Sequence, residues 1–365
     1  MIRTCSVCVS NGTDPYENLA LEQTLLERAG EGELILYLWQ NARTVVIGRN
    51  QNPWKECRTT LLAEEGGHLA RRLSGGGAVF HDLGNLKFTF LMREEDYDLS
   101  RQLSVIELAC SRLGVPVERS GRNDLLAGGR KFSGNAFYKH NGRAYHHGTL
   151  MVDVDLDMVQ RYLSPSRAKL QAKGVDSVRS RVVNLRELVP TLTVAQLSDA
   201  LIDALAEVYA VGDDDARRAI VPPLSDAPAR VLTSPEAADN RQQASAPAAT
   251  RFSNPTPLVR TLDVNEIDLR ALTAHYASDA WLYGPKLPFT LSVENRFPWG
   301  GIELQLQVES GVIRVVKVYT DAMDETLAPR LEAALTGVPL RPETLVAALP
   351  DQQKDDLLSL LRASL

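Results

Sequence analysis

Asp14-Pro15 is followed by apolar residues at helical spacing, Leu19, Leu21, Leu25 and Leu26, which predicts a helix over Asn18 to Leu26 with its start fixed by the aspartate and proline. Two apolar runs come next, Leu34 to Trp39 and Thr44 to Gly48. They read as paired strands joined by a turn at Gln40-Asn41-Ala42-Arg43. Helical periods, strand-like runs and glycine-punctuated loops then alternate to about Tyr209. Much further on, Ile302 to Val308 alternates residue by residue, Ser310-Gly311 supplies a turn, and Val312 to Tyr319 forms a second strand. Helical spacing returns around Leu327 to Leu335 and again from Gln353 to Leu361.

Between these two patterned regions the texture changes. From Pro222 to Pro257 there are 7 prolines and 8 alanines, and Phe252 is the only aromatic residue, which is the composition of a linker or insertion rather than of a core. The predicted organisation is therefore a first domain over 1–221, the Pro/Ala-rich linker over 222–257, a segment over 258–284 that closes the first domain, and a small domain over 285–365. The fold class is α+β.

Composition narrows the function by exclusion. The chain of 365 residues is 44% hydrophobic and 24% charged, as a soluble globular protein is, and its net charge of -6 disfavours bulk capture of nucleic acid or anionic lipid. Any anion site must be local. There is no run of about 18 apolar residues and no signal-like N-terminus, so neither membrane insertion nor export is expected. Four scattered cysteines, Cys5, Cys8, Cys57 and Cys110, suit reduced thiols in a cytoplasm. The Cys5/Cys8 pair lacks a second pair at zinc-site spacing and reads as part of a strand.

Three clusters could carry chemistry. Arg71-Arg72-Leu73-Ser74-Gly75-Gly76-Gly77-Ala78-Val79-Phe80-His81-Asp82 combines three glycines, which let backbone amides approach an anion, with arginines that could supply countercharge. It is neither a Walker loop nor a GxGxxG fingerprint, so phosphate binding of those types and hydride transfer are disfavoured. Taken alone, it reads better as a flexible turn with two solvated arginines. The second cluster runs Gly121-Arg122-Asn123-Asp124-Leu125 and, after a glycine hairpin, Arg130-Lys131-Phe132-Ser133-Gly134, placing a lysine between a carboxylate and a small-residue segment. The third is His146-His147-Gly148-Thr149-Leu150, whose histidines by themselves read as one exposed and one satisfied in the core.

In these clusters the chain resembles the lipoate-protein ligase A family of bacterial lipoate salvage. The resemblance also covers Thr44 to Arg49, Gln51 to Cys57, Leu83-Gly84-Asn85, Ala172-Lys173-Gly174, Ser177 to Val182, Arg296-Phe297 and Trp299-Gly300-Gly301. It implies a biotin/lipoate-ligase-like catalytic domain, with mixed sheets and flanking helices, and a small α+β accessory domain. It further implies that lipoate and MgATP give lipoyl-AMP and pyrophosphate, after which the acyl group passes to a lysine. The acceptors would be apo lipoyl domains of 2-oxoacid dehydrogenase complexes and the glycine-cleavage H protein. Carried over by position, the ATP contacts fall on Arg72, Gly77, Ala78, Val79, Phe80 and Lys131. The lipoate contacts fall on Lys131, Trp39, Asn18, Leu19, Gly76, His81 and His147. Lys131 is the expected catalytic residue, Asp124 the expected Mg2+ ligand with Asp82 the runner-up, and the protein is expected to act as a monomer.

The sequence departs from the family pattern at Tyr138-Lys139, where an arginine is expected after the aromatic residue, and Lys139 is the candidate to substitute for it. Two rivals share these features: an ATP-independent lipoyl or octanoyl transferase, for which Cys57 or Cys110 would be nucleophiles, and a non-catalytic lipoate- or nucleotide-binding protein. A biotin ligase would require a Gly-Arg-Gly-Arg loop that this chain lacks.

Overall fold

A computed structural model describes residues 2–121, 123–164, 182–209, 258–262, 267–284 and 289–362. The Pro/Ala-rich stretch 222–257, Arg122 and the 172–181 portion of the family resemblance lie outside the described residues. The strands, in chain order, are β1 (Thr4–Val9), β2 (Glu33–Trp39), β3 (Thr44–Ile47), β4 (His68–Arg71), β5 (Val79–His81), β6 (Asn85–Arg93) and β7 (Glu118–Ser120). They continue with β8 (Asp124–Ala127), β9 (Arg130–His140), β10 (Arg143–Met151), β11 (Leu258–Thr261), β12 (Leu291–Phe297), β13 (Gly300–Glu309) and β14 (Val312–Thr320).

Eight of them form one mixed sheet in the order β11-β1-β2-β6-β10-β9-β8-β7. Its centre is covered on both faces, so β6 is buried from Asn85 to Met92 although its residues alternate, with Leu86, Phe88 and Phe90 on one face and Asn85, Lys87 and Thr89 on the other. One face, carrying Leu34, Leu36, Phe88 and Phe90, packs against the helices Leu99–Arg112 and Val194–Val208. The other carries Ile35, Tyr37, Trp39, Leu91 and Tyr145 and meets the helix Pro15–Arg28, the helix Arg270–Ala277 and the small sheet β4-β3-β5. Asp14 caps the first of these helices by accepting from the amides of Tyr16 and Glu17, with Pro15 at its first turn. The protein is α+β with mixed sheets and flanking helices.

The expected β2–β3 hairpin does not form. β2 pairs with β1 and β6, whereas β3 joins the small sheet between β4 and β5. The intervening Gln40-Asn41-Ala42-Arg43 is a crossover, because Asn41 is fully buried and bonded to Asn18 and His81 and Arg43 takes a positive φ of 27°. Residues after the linker return to the first unit, where β11 lies parallel to β1 and Trp281 Nε1 donates to the carbonyl of Arg71.

The C-terminal unit is the antiparallel sheet β12-β13-β14 under the helices Leu327–Leu335, Pro342–Ala348 and Lys354–Arg362, with its own core around Leu304, Leu331 and Leu357. It docks on the glycine-rich segment. The amide of Gly76 donates to the carbonyl of Ala322, and the amide of Thr320 donates to the carbonyl of Asn50. Lys55 reaches across to Glu303 at 3.2 Å.

Candidate functional site

Between the second face of the large sheet, the glycine loop and the C-terminal unit lies a cavity of about 400 Å³. Its wall contains Leu19, Trp39, Arg72, Gly76, Gly77, Ala78, Val79, Phe80, His81, Asp124, Lys131 and His147, so these residues, spread over more than a hundred positions, meet around one space. Arg296, Trp299, Asp321 and Met323 close it from the C-terminal unit.

Lys131 sits at the start of β9, just past a two-residue hairpin in which Gly128 and Gly129 both have positive φ, 57° and 74°. Its ammonium bends back over Gly134. A β-carbon on that glycine would lie 2.8 Å from Nζ, so the missing side chain is what makes room for the lysine. Asp124, on the neighbouring strand, accepts from Nζ at 2.6 Å. The facing turn is tied down by a reciprocal pair in which the Asn123 and Asn135 amide groups each donate to the other's carbonyl.

The arginines do not act as the free countercharge that the sequence suggested. Arg72 donates to the carbonyls of Val46, Gly75 and Gly77 and to Ser74 Oγ, which folds the glycine loop around its guanidinium at the cavity wall. Arg71 is turned away, donating to the carbonyls of Gly48, Arg49, Gln51, Trp281 and Leu282. Burial pulls both guanidinium groups down to about 10, so both remain charged at neutral pH.

Both histidines are buried, which corrects the expectation that one is exposed. Adjacent strand positions point to opposite faces. His146 therefore lies in the core, against Phe88 and Phe90, and bonds to Asn135, with burial pushing its pKa down to about 3. His147 faces the cavity wall, with Nε2 2.8 Å from Ser74 Oγ and Nδ1 2.8 Å from Glu22 Oε1. Burial lowers its pKa despite Glu22; burial would raise Glu22, but His147, Thr89 and Lys87 together bring it below its ordinary value. The pair is thus a neutral imidazole donating to a carboxylate. The same Glu22 oxygen accepts from Thr89 Oγ1 at 2.7 Å, and Thr89 in turn accepts from Trp39 Nε1 at 3.2 Å. One buried chain of hydrogen bonds therefore runs from Arg72 through Ser74, His147, Glu22 and Thr89 to Trp39.

Two expected site residues do not line the cavity. Asn18 is buried and engaged with Gly12, Gln40, Asn41, Ser10 and Tyr37, so it positions Asn41 and through it His81. Asp82 caps a turn: one carboxylate oxygen takes the amide of Gly84 and the other that of Asp155. Among the described residues no group of three or more His, Cys, Asp or Glu is placed to hold a metal ion. Lys139 pairs with Glu94 at 2.9 Å on the surface and does not replace the arginine expected there. Glu22 and Lys87 were not singled out from the sequence; the visible signals were a charged residue on the apolar face of a helix and a lysine in the alternating strand β6.

None of the four cysteines lines the cavity; all are buried, and burial pushes each thiol up to about 12. They are not thiolate nucleophiles at neutral pH.

The site is a mostly apolar cavity on a mixed sheet, lined by the glycine loop, Lys131 and Lys87 and closed by a separate α+β cap. Residues 14–206 match the lipoyl protein ligase A/B catalytic domain and residues 286–359 the bacterial lipoate protein ligase C-terminus, and the chain belongs to this lipoate-protein ligase family. The crystal structure of P. falciparum LipL1 in complex with lipoate is similar over 97% of this chain and 98% of that one, with 25% identity and a TM-score of 0.74. Lipoate-protein ligase A bound with ATP shares the fold at 21% identity and a TM-score of 0.55, covering 78% of this chain and 99% of that chain. So does the bipartite lipoate protein ligase of Thermoplasma acidophilum, solved in a study with its E2 lipoyl domain, at 22% identity, a TM-score of 0.55 and coverage of 80% and 100%.

Proposed function

We infer that this protein is an ATP-dependent lipoate-protein ligase. The observation that carries the reading is the ammonium of Lys131 in the wall of the cavity that the glycine loop also lines. In the first step a lipoate carboxylate oxygen bonds to the α-phosphorus of ATP while the bond to pyrophosphate breaks. Two anions must approach each other, and the charge on the transferring group grows. Lys131 neutralises both as a point charge, and the amides of Gly77 to Phe80 receive phosphate oxygens. In the second step the ε-amine of an acceptor lysine attacks the acyl carbonyl, an amide forms, AMP leaves, and the amine loses a proton to solvent. Leu19, Val79 and Trp39 shield the chain, and exclusion of water favours the amine over hydrolysis.

Mg2+ enters with the nucleotide, since that ion is ordinarily held by phosphates and one or two carboxylates. Asp124 is the carboxylate beside Lys131, whereas Asp82 is committed to backbone amides. The acceptors are apo lipoyl domains of 2-oxoacid dehydrogenase complexes and the glycine-cleavage H protein, modified by a cytoplasmic monomer. The high thiol pKa values count against a cysteine-dependent transferase. The test is pyrophosphate release from ATP, with and without lipoate, followed by mass spectrometry of an apo lipoyl domain. Release that requires lipoate, with lipoyl mass added only when ATP is present, is expected; addition without ATP would favour the transferase, and neither signal the non-catalytic binder.

A further inference from the structure

Lys87 lies on β6 directly between Trp39 on β2 and Thr149 on β10, and the row continues to Gly134 and Asp124. Lys131 Nζ stands over the far part of this row, at Gly134. Two strand spacings, about 10 Å, separate the Lys87 and Gly134 backbones. The Lys87 ammonium leans the other way, 5.7 Å from the centre of the Trp39 ring. Its residue is only 5% exposed, it lines the cavity, and no hydrogen-bond or ion-pair partner is found for it among the described residues. Glu22, the carboxylate whose charge acts on it, is already engaged by His147 and Thr89.

A second donor lines the same cavity. Asn41 receives a hydrogen bond from Asn18 on its oxygen, so its amide nitrogen donates to His81 Nδ1. A neutral ring then carries its proton on Nε2. Burial and the neighbouring Lys87 charge hold that ring neutral, and Nε2 is a buried atom with no partner. Asn85 Oδ1, an acceptor two residues before Lys87, is likewise unpartnered in the same wall. Unmatched buried donors and acceptors are costly unless a ligand or water meets them.

We propose that the end of the cavity remote from Lys131 is a polar subsite, in which Lys87 Nζ and His81 Nε2–H bind an oxygen carried on the far end of the acyl chain. A hydroxyl matches the set, because it accepts from either donor and can donate to Asn85. The proposal rests on the acyl-acid reading of the cavity and extends it to the chemistry of the chain's other end. Burial and Arg72 pull Lys87 down to about 7, and the amine is a donor in both its charged and neutral forms.

Direct binding without ATP tests it, by calorimetry with octanoate and 8-hydroxyoctanoate on the full chain and on Lys87→Met. The wild type is expected to bind the hydroxy acid at least about ten-fold more tightly, as sites built to hydrogen-bond a hydroxyl reject the analogue lacking it. In Lys87→Met that preference is expected to fall to about one or invert, with octanoate bound more tightly than by the wild type. Equal or weaker binding of the hydroxy acid by the wild type overturns the proposal. So does an equal loss for both acids in the variant, which would place Lys87 at the carboxylate end. Lipoate-dependent pyrophosphate release, measured separately, reports on the ligase reading, so either can fail without the other.

Discussion

Gly76 donates its amide to the carbonyl of Ala322 at 3.0 Å, so the middle of the glycine triplet is bonded to the C-terminal unit. A phosphate seeking that amide would have to displace the carbonyl. The loop that lines the cavity is therefore also the surface on which the C-terminal unit docks.

Gly75 sets how closely the cap sits. A β-carbon there would lie 2.4 Å from the Ala322 oxygen and 2.8 Å from that of Met323, too near for either to remain. Gly75→Ala should push the C-terminal unit outward. Faster proteolytic cleavage between the units and a larger radius of gyration in solution scattering are the expected results; unchanged values for both would contradict the docking.

Lys131→Ala should lower lipoate-dependent pyrophosphate release by about a hundred-fold or more, the size of effect seen when one donor to a developing anion is removed. Its melting temperature should stay close to that of the wild type, because Lys131 and Asp124 are both partly solvated. Lys131→Arg should fail as well, since a planar guanidinium does not fit the gap above Gly134.

Asp82→Ala and Asp124→Ala separate structure from metal dependence. Losing the two amide bonds of Asp82 should cost about 1–2 kcal/mol of stability and leave the Mg2+ concentration needed for half-maximal activity unchanged. Asp124→Ala should raise that concentration at nearly constant stability. Thermal melts and Mg2+ titrations of activity decide the matter.

The stability of the protein should carry the signature of Lys87. In the unfolded chain this lysine keeps its proton to about its ordinary 10.5, whereas in the fold burial, with Arg72 beside it and only Glu22 opposing, brings it to about 7. Below pH 7 both states are protonated and the buried charge exacts its full cost. From pH 7 to 10.5 the unfolded state binds the extra proton, so this group makes the fold progressively more stable as pH rises. Lys87→Met removes the cost, so its melting temperature should exceed that of the wild type most below pH 7, by on the order of a few kcal/mol in free energy, and converge with it towards pH 10.5.

Local signals carried much of this structure. The Asp14-Pro15 cap, the Gly128-Gly129 and Ser310-Gly311 turns and the helix Leu327–Leu335 follow from chemistry within a few residues, and the structure shows each of them. The partition of β2 and β3 into different sheets did not, because it depends on Asn41 finding Asn18 and His81, 23 and 40 positions away. The alternation of β6 puts Lys87 and Thr89 on the face opposite Phe88 and Phe90, but it cannot show that this polar face is buried as well, because the cover comes from elements distant in sequence. The two histidines were indistinguishable for a related reason: their environments are set by Glu22, Ser74 and Asn135, which come from three separate elements.

The pairing of β11 with β1 also matters while the protein is being made. β1 ends at Val9, yet its outer neighbour begins at Leu258, so roughly ten to fifty seconds of translation pass between the two at ordinary elongation rates. Throughout that interval the nascent chain presents an open strand edge, the surface on which other polypeptides add. Truncation before residue 258 leaves that edge unpaired.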